Sequence, residues 1–217
     1  MDFPRYLVIE GPIGVGKTTL VRQLSAKRNA RTILEIFEEN PFLPRFYQDR
    51  ERYAFQTEMF FLLSRFRQQK EIQQEELFRD YTISDYLFVK TRLFASLTLS
   101  ADELMLYNRL FTILEPQVPR PDLVIYLHAP VRTLMRRIRQ RGREMERNIE
   151  PDYLEALSEV YTEYFRDFSA CPLLIVDSEA FNFADDERAV ERLLETIAGM
   201  SGQRAWLERR IFDPEVA

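Results

Sequence analysis

Apolar residues along this chain fall into two rhythms. Short unbroken runs recur at Tyr6-Leu7-Val8-Ile9, Thr32-Ile33-Leu34, Tyr81-Thr82-Ile83, Leu123-Val124-Ile125-Tyr126-Leu127 and Leu173-Leu174-Ile175-Val176. Runs this short, without polar alternation, predict five strands buried on both faces. Between them, residues 17–28, 51–77, 86–115, 131–141 and 151–169 read as helices, and Val190, Leu193, Leu194 and Ile197, spaced i, i+3, i+4, i+7, add one after the last strand. Residues 203–211, with Trp206 and Leu207, read as a terminal helix. Strands alternating with helices predict a parallel sheet covered on both faces. Pro116, Pro119 and Pro121 break a helix and lead into the fourth strand, which marks a connection, not a domain boundary.

Length and charge narrow this picture. The 217 residues allow one α/β domain with a sizeable core and little room for a second, so residues 1–217 are read as a single domain. A net charge of −5 argues against a broad nucleic-acid surface and leaves room for a local anion pocket built from a few arginines. Cys171 is the one cysteine and His128 the one histidine, so a disulfide, a cysteine zinc cluster or a serine-histidine mechanism has little to work with. No apolar stretch reaches the roughly 18 to 20 residues that span a bilayer, and the start runs into a strand without a basic leader. A cytoplasmic protein with no membrane partner is expected.

The first strand is followed by Gly11-Pro12-Ile13-Gly14-Val15-Gly16-Lys17-Thr18, which fits GxxxxGK[ST], and Thr19 continues into a helix. Strand before and helix after are the context this phosphate loop requires. Its glycines let successive N–H groups point at phosphate oxygens, the helix N-terminus adds positive potential, and Lys17 reaches the β- and γ-phosphates. Thr18 is placed to ligate Mg²⁺ through its hydroxyl. The loop implies ATP or a similar nucleotide and names no acceptor.

Five further segments, in order, resemble the deoxyribonucleoside kinase family, its bacterial deoxyguanosine and deoxyadenosine kinase branch in particular. They are the phosphate loop; Glu35 followed by Asn40-Pro41-Phe42-Leu43 and Phe46-Tyr47; the helix from Arg52-Tyr53-Ala54-Phe55 to Ser64-Arg65; Ser84-Asp85-Tyr86-Leu87-Phe88; and Arg137-Ile138-Arg139-Gln140-Arg141-Gly142-Arg143. The resemblance covers about residues 5–180. It implies a P-loop NTPase-type three-layer α/β fold with a central five-stranded parallel sheet and an arginine-rich lid at about 137–148, commonly dimeric. It also implies transfer of the γ-phosphoryl group of ATP, with Mg²⁺, to the 5′-hydroxyl of a deoxynucleoside in nucleotide salvage.

Glu35 lies near the end of the second strand, and ligand sites of open α/β sheets lie beyond strand carboxyl ends. A carboxylate there can take the proton of the attacking hydroxyl. The resemblance assigns that role to Glu35, with Glu38 and Glu39 as competitors. It assigns Mg²⁺ to Asp85, opposite Thr18; a helix N-cap is the plainer role for Asp85. Arg137, Arg141 and Arg143 become catalytic lid arginines, Arg137 and Arg141 on ATP, within a run of seven from Arg132 to Arg147 that otherwise reads as a solvated basic helix or a nucleic-acid patch. Glu146 and Tyr47 match the pair that grips the sugar 3′-hydroxyl. The chain departs from the family at Tyr86, where most members carry an arginine; Lys90, Arg92 or a lid arginine is left to supply that charge.

Glu58 and Arg65 are seven apart in a helix and share a face, whereas Gln56 falls on the other side. Glu58 stands where many family members have a base-reading glutamine. A carboxylate can accept from N1–H and N2–H₂ of guanine while Arg65 donates to O6, so deoxyguanosine is the expected substrate. A deoxyadenosine or broad-specificity kinase is the alternative, and for Glu58 a simple salt bridge. A nucleoside monophosphate kinase and a nucleotide-sensing module are rival readings; the set Glu35, Tyr47 and Glu146 suits a neutral hydroxyl acceptor better.

Overall fold

The computed structural model describes residues 3–75, 80–184, 186–208 and 211. Residues 76 and 77, read above as helical, and residues 209 and 210 lie outside the described residues. Among the described residues, β1 (Tyr6–Glu10), β2 (Arg31–Ile33), β3 (Thr82–Ser84), β4 (Leu123–His128), β5 (Leu173–Asp177) and β6 (Arg204–Leu207) form one sheet in the order β2-β3-β1-β4-β5-β6. Every pairing is parallel. Parallel neighbours need crossover connections, which the helices supply. These are α1 (Lys17–Arg28), α2 (Leu43–Phe46), α3 (Arg50–Glu75), α4 (Lys90–Thr98), α5 (Ala101–Leu114), α6 (Val131–Arg141), α7 (Pro151–Arg166) and α8 (Glu187–Gly199). All of β1 and β5 and all but the last residue of β4 are buried, which is why those strands read as unbroken apolar runs. The fold is a three-layer α/β arrangement around this sheet.

Two expectations need correction. The sheet has six strands, not five, because residues 204–207 pair with β5 from Leu173↔Arg204 to Val176↔Leu207 instead of forming a terminal helix. An unpaired β5 edge would expose a row of backbone donors and acceptors. Arg204 Nη2 holds the segment by donating to the carbonyls of Phe165, Arg166 and Phe168 at 3.2, 2.9 and 3.1 Å. The long helix read over 86–115 is also two helices, starting only at Lys90 and interrupted at Leu99 and Ser100. Ser100 caps α5 through a reciprocal box, its N–H and hydroxyl donating to Glu103 at 3.0 and 2.7 Å.

From β1 the chain crosses to β2, returns to β3 beside β1, and then passes to β4 on the other side of β1. The winding therefore reverses at β1, and the crevice beyond its carboxyl end is where such sheets hold ligands. The pairing Ile33↔Ser84 sets the segments after β2 and β3 side by side at this crevice. No helix among the described residues is long and apolar enough to cross a membrane.

Candidate active site

One cavity of about 1030 Å³ opens beyond the strand ends and runs from the phosphate loop to the buried middle of α3. At its near end Gly16 sits at the start of α1, so the first N–H groups of the helix, from Lys17 onward, have no preceding turn to bond and suit an anion. Gly14 has φ +82°, and a Cβ there would come within 2.8 Å of the Leu134 carbonyl and of the Ile138 side chain. Only glycine lets the loop lie this close to α6. Lys17 Nζ folds back over its own loop, donating to Gly11 O at 2.6 Å and Pro12 O at 3.0 Å. Burial, with the Lys90 charge, lowers its pKa to about 8, against the pull of Glu10, Asp85 and Glu35.

The Thr18 hydroxyl donates to Asp85 Oδ2 at 2.7 Å, and the Glu35 N–H donates to Asp85 Oδ1 at 2.8 Å. The capping role is thus not what Asp85 performs: it joins α1 to the segment after β2. Glu35 Oε1 accepts from Arg65 Nε at 3.0 Å and from Arg65 Nη2, and Oε2 accepts from Lys90 Nζ at 2.6 Å. Burial alone would raise the Glu35 pKa, but Arg65 and then Lys90 override it and hold the carboxylate well below its ordinary range. Glu38 and Glu39 are exposed.

Of the cations named for the position of Tyr86, Lys90 is 5 % exposed and lies in the cavity, whereas Arg92 is exposed with its guanidinium over the Phe111 ring at 5.0 Å. Tyr86 itself is fully buried, its hydroxyl donating to Gln68 Oε1 at 2.6 Å.

The far end of the cavity is formed by Glu58 and Arg65 with Tyr47, Phe61, Phe94 and Tyr153. Glu58 and Arg65 are buried and Gln56 is exposed, as their helical spacing requires. Glu58 Oε1 accepts from the Thr98 hydroxyl at 3.2 Å, while Oε2 and Arg65 Nη1 have no hydrogen-bond partner among the described residues. Burial pushes the Glu58 carboxyl up to about 7, against the lowering effect of Arg65 and the Thr98 hydrogen bond. Burial and the charge of Glu146 raise the Tyr47 phenol, which keeps it a neutral donor.

Over the cavity, α6 ends at Arg141 with Gly142 in the left-handed region, φ +68°. Residues 137–141 of the expected lid therefore belong to this helix. Arg137 is anchored, Nη1 donating to Val15 O at 3.1 Å and Ser178 Oγ at 2.9 Å and Nη2 to Ser178 O at 2.6 Å. Arg141 grips Glu146 at 2.6 to 3.1 Å, and Arg143 reaches it at 3.4 Å while lying over the Phe37 ring at 4.2 Å.

A carboxylate behind the site was not anticipated, and neither were Phe94 and Tyr153 in the cavity wall. Glu10, fully buried at the end of β1, accepts from Gly11 N at 2.8 Å, Leu87 N at 2.7 Å and the Tyr161 hydroxyl at 3.0 Å. It thereby fixes the phosphate loop to the segment carrying Asp85 and to α7. A lone carboxyl ending an apolar strand just before a glycine was the available signal. Glu10→Ala strands three donors in the core, so denaturant unfolding should show a loss of about 3 to 5 kcal/mol; a loss under about 1 kcal/mol would mean that water replaces the carboxylate.

The family model "Deoxynucleoside kinase" matches residues 7–200. Deoxyguanosine kinase of Bacillus subtilis (strain 168) is 36% identical over 198 residues, 89% of this chain and 96% of that protein. Deoxyadenosine/deoxycytidine kinase of the same organism is 33% identical over 201 residues, 89% of this chain and 92% of that protein. A solved structure of deoxyadenosine kinase from M. mycoides with bound dCTP shares the fold, with a TM-score of 0.77 at 24% identity over 90% of this chain and 100% of that one. By motif, by architecture and by relatives matched along nearly their whole length, the chain belongs to the deoxynucleoside kinase family, in company with the bacterial deoxyguanosine and deoxyadenosine kinases.

Proposed function

We propose that this chain, acting as a single domain, transfers the γ-phosphoryl group of ATP to the 5′-hydroxyl of a purine deoxynucleoside, with deoxyguanosine favoured. The observation that carries the reading is the continuity of one cavity from Lys17 to Glu58, with Glu35 and Asp85 between them. Residues 11–19 cradle the triphosphate through backbone N–H groups, and Lys17 neutralises the β- and γ-phosphates. The Thr18 and Asp85 oxygens meet in the cavity as a small hard-donor pair, which suits Mg²⁺ completed by phosphate and water oxygens. When bound, that ion supplies charge neutralisation at the phosphates.

Glu35 orients the 5′-hydroxyl and takes its proton. A carboxylate held this firmly ionised is a weak base, yet phosphoryl transfer through a loose transition state asks for little proton removal before the P–O bond to the leaving group has broken. Lys90 takes the electrophilic role left open by Tyr86, because its ammonium already lies against Glu35 inside the cavity. Arg141 and Arg143 close on the transferring group, and Arg137 steadies the phosphate loop from α6. Tyr47 and Glu146 hold the sugar 3′-hydroxyl, Glu146 being released from Arg141 as the lid closes on nucleotide.

Glu58 and Arg65 read the base: the carboxylate accepts both donors of guanine N1–H and N2–H₂, and the free Arg65 Nη1 donates to O6. The chain functions in nucleotide salvage in the cytoplasm, as a homodimer. Exposed Met105, Leu106 and Ile113 on α5 favour the dimer, which sedimentation tests.

The deciding experiment is a phosphorylation panel of the four deoxynucleosides, deoxyinosine, the ribose counterparts and deoxyguanosine monophosphate, with ATP and Mg²⁺. Deoxyguanosine should lead and deoxyinosine follow. A lead by the monophosphate, or no nucleoside-dependent ATP turnover, would reject the reading.

A further inference from the structure

We infer that Glu58 recognises two purines in two protonation states, as a carboxylate for guanine and as a neutral acid for adenine, so that acidity moves the enzyme's preference from deoxyguanosine toward deoxyadenosine. The inference rests on the nucleoside site proposed above.

Geometry carries it first. Glu58 is 2 % exposed and lines the cavity, and its Oε2 is buried without a hydrogen-bond partner among the described residues. Its one hydrogen bond among the described residues is from the Thr98 hydroxyl to Oε1. The charged and titratable groups facing it come from every surrounding element. Arg65 stands on α3, Lys90 on α4, Tyr107 on α5, Tyr153 on α7, Tyr47 after α2 and Glu35 after β2, with Arg50 of α3 lying over the Tyr153 ring behind them. Arg65 and Lys90 are the cations best placed to hold Glu58 ionised, but both are bonded to Glu35. Glu58 itself has no ion-pair partner within 4.0 Å among the described residues. The three phenols are raised by burial and stay neutral. A buried carboxyl so placed has no strong reason to stay charged, and its pKa pushed up to about 7 agrees with that balance.

The same two oxygens then meet either base. Ionised, they accept N1–H and N2–H₂ of guanine. Neutral, one oxygen donates its proton to adenine N1 and the other accepts from N6–H, the pattern that a glutamine would present. Guanine thus selects the carboxylate and adenine the acid, and by linkage deoxyadenosine binding takes up a proton that deoxyguanosine binding does not.

The test is the ratio of kcat/KM for deoxyguanosine to that for deoxyadenosine between about pH 6 and pH 8.5. Titrations that affect both substrates alike, in ATP or in Glu35, cancel in this ratio. A single carboxyl that must be ionised for one substrate and protonated for the other makes the ratio rise by roughly tenfold per pH unit. Glu58→Gln should give a flat ratio shifted toward deoxyadenosine. Should that variant fold poorly, calorimetric titration of the wild-type enzyme in buffers of different ionisation enthalpy reads the proton directly, with uptake expected near neutral pH for deoxyadenosine only. A flat wild-type ratio with both purines phosphorylated, or an unchanged slope in Glu58→Gln, overturns the inference and leaves the kinase reading intact. Phosphorylation of pyrimidine nucleosides alone overturns it together with the purine assignment.

Discussion

Lys17→Ala should lower kcat by on the order of a thousandfold or more while leaving the fold intact, because phosphoryl transfer relies on charges placed in advance of the reaction. Among the described residues the Lys17 ammonium donates to two carbonyls, Gly11 O and Pro12 O, and burial depresses its pKa to about 8. The sign of the linkage follows. The folded state releases this proton more readily than the unfolded state, so below about pH 8 the buried charge opposes folding, and the opposition fades as pH rises toward the ordinary lysine value of 10.5. Removing the side chain at neutral pH therefore relieves a burden on the fold while abolishing the neutralisation of the phosphates. Single-turnover kinetics together with an unfolding curve check both halves. A well-folded Lys17→Ala enzyme with near-normal turnover would reject the assignment of the phosphate loop.

Glu35→Gln should reduce kcat by roughly a hundredfold to ten-thousandfold with a much smaller change in the KM for nucleoside, since the amide keeps the shape of the side chain but cannot take a proton. A second effect follows from its neighbours. The carboxylate is the counter-charge of both Arg65 and Lys90, so the amide leaves two buried cations uncompensated, and stability at neutral pH should fall by about 3 to 5 kcal/mol. Because the folded pKa of Glu35 is depressed, its stabilising contribution is present above its ordinary value of 4.5 and is lost as pH falls below that value; the gap between wild type and Glu35→Gln should close in acid. Lys90→Met supplies the contrast. It should share the loss in kcat and leave Glu35 paired with Arg65, so the stability loss should be smaller. If Glu38→Gln instead of Glu35→Gln abolishes turnover, the proton acceptor has been assigned to the wrong carboxylate.

The sequence by itself determined what depends on neighbours along the chain. The phosphate loop is legible because its chemistry lies in eight consecutive residues between a strand and a helix. The common face of Glu58 and Arg65 follows from the turn of one helix, and the crevice position of Glu35 from its place just beyond a strand end. The apolar runs of β1, β4 and β5 were legible because burial on both faces of a parallel sheet leaves no polar alternation to obscure them.

Tertiary structure decided what depends on pairing between distant segments. β6 is only four residues long, and nothing in its own sequence outweighs the gain from covering the edge of β5. The break at Ser100 was signalled by its capping box with Glu103, yet the apolar pattern on both sides runs through it. Lys90 and Arg92 differ by two positions in sequence; the start of α4 at Lys90 and its packing against α3 and α7 turn one ammonium onto Glu35 and leave the guanidinium outside. Glu10 is tied to Leu87 and Tyr161, and Arg137 to Ser178, across separations of 77, 151 and 41 residues. Such contacts leave no periodic trace in the sequence, because a hydrogen bond between remote segments constrains their meeting point in the fold and not the spacing of residues within either one.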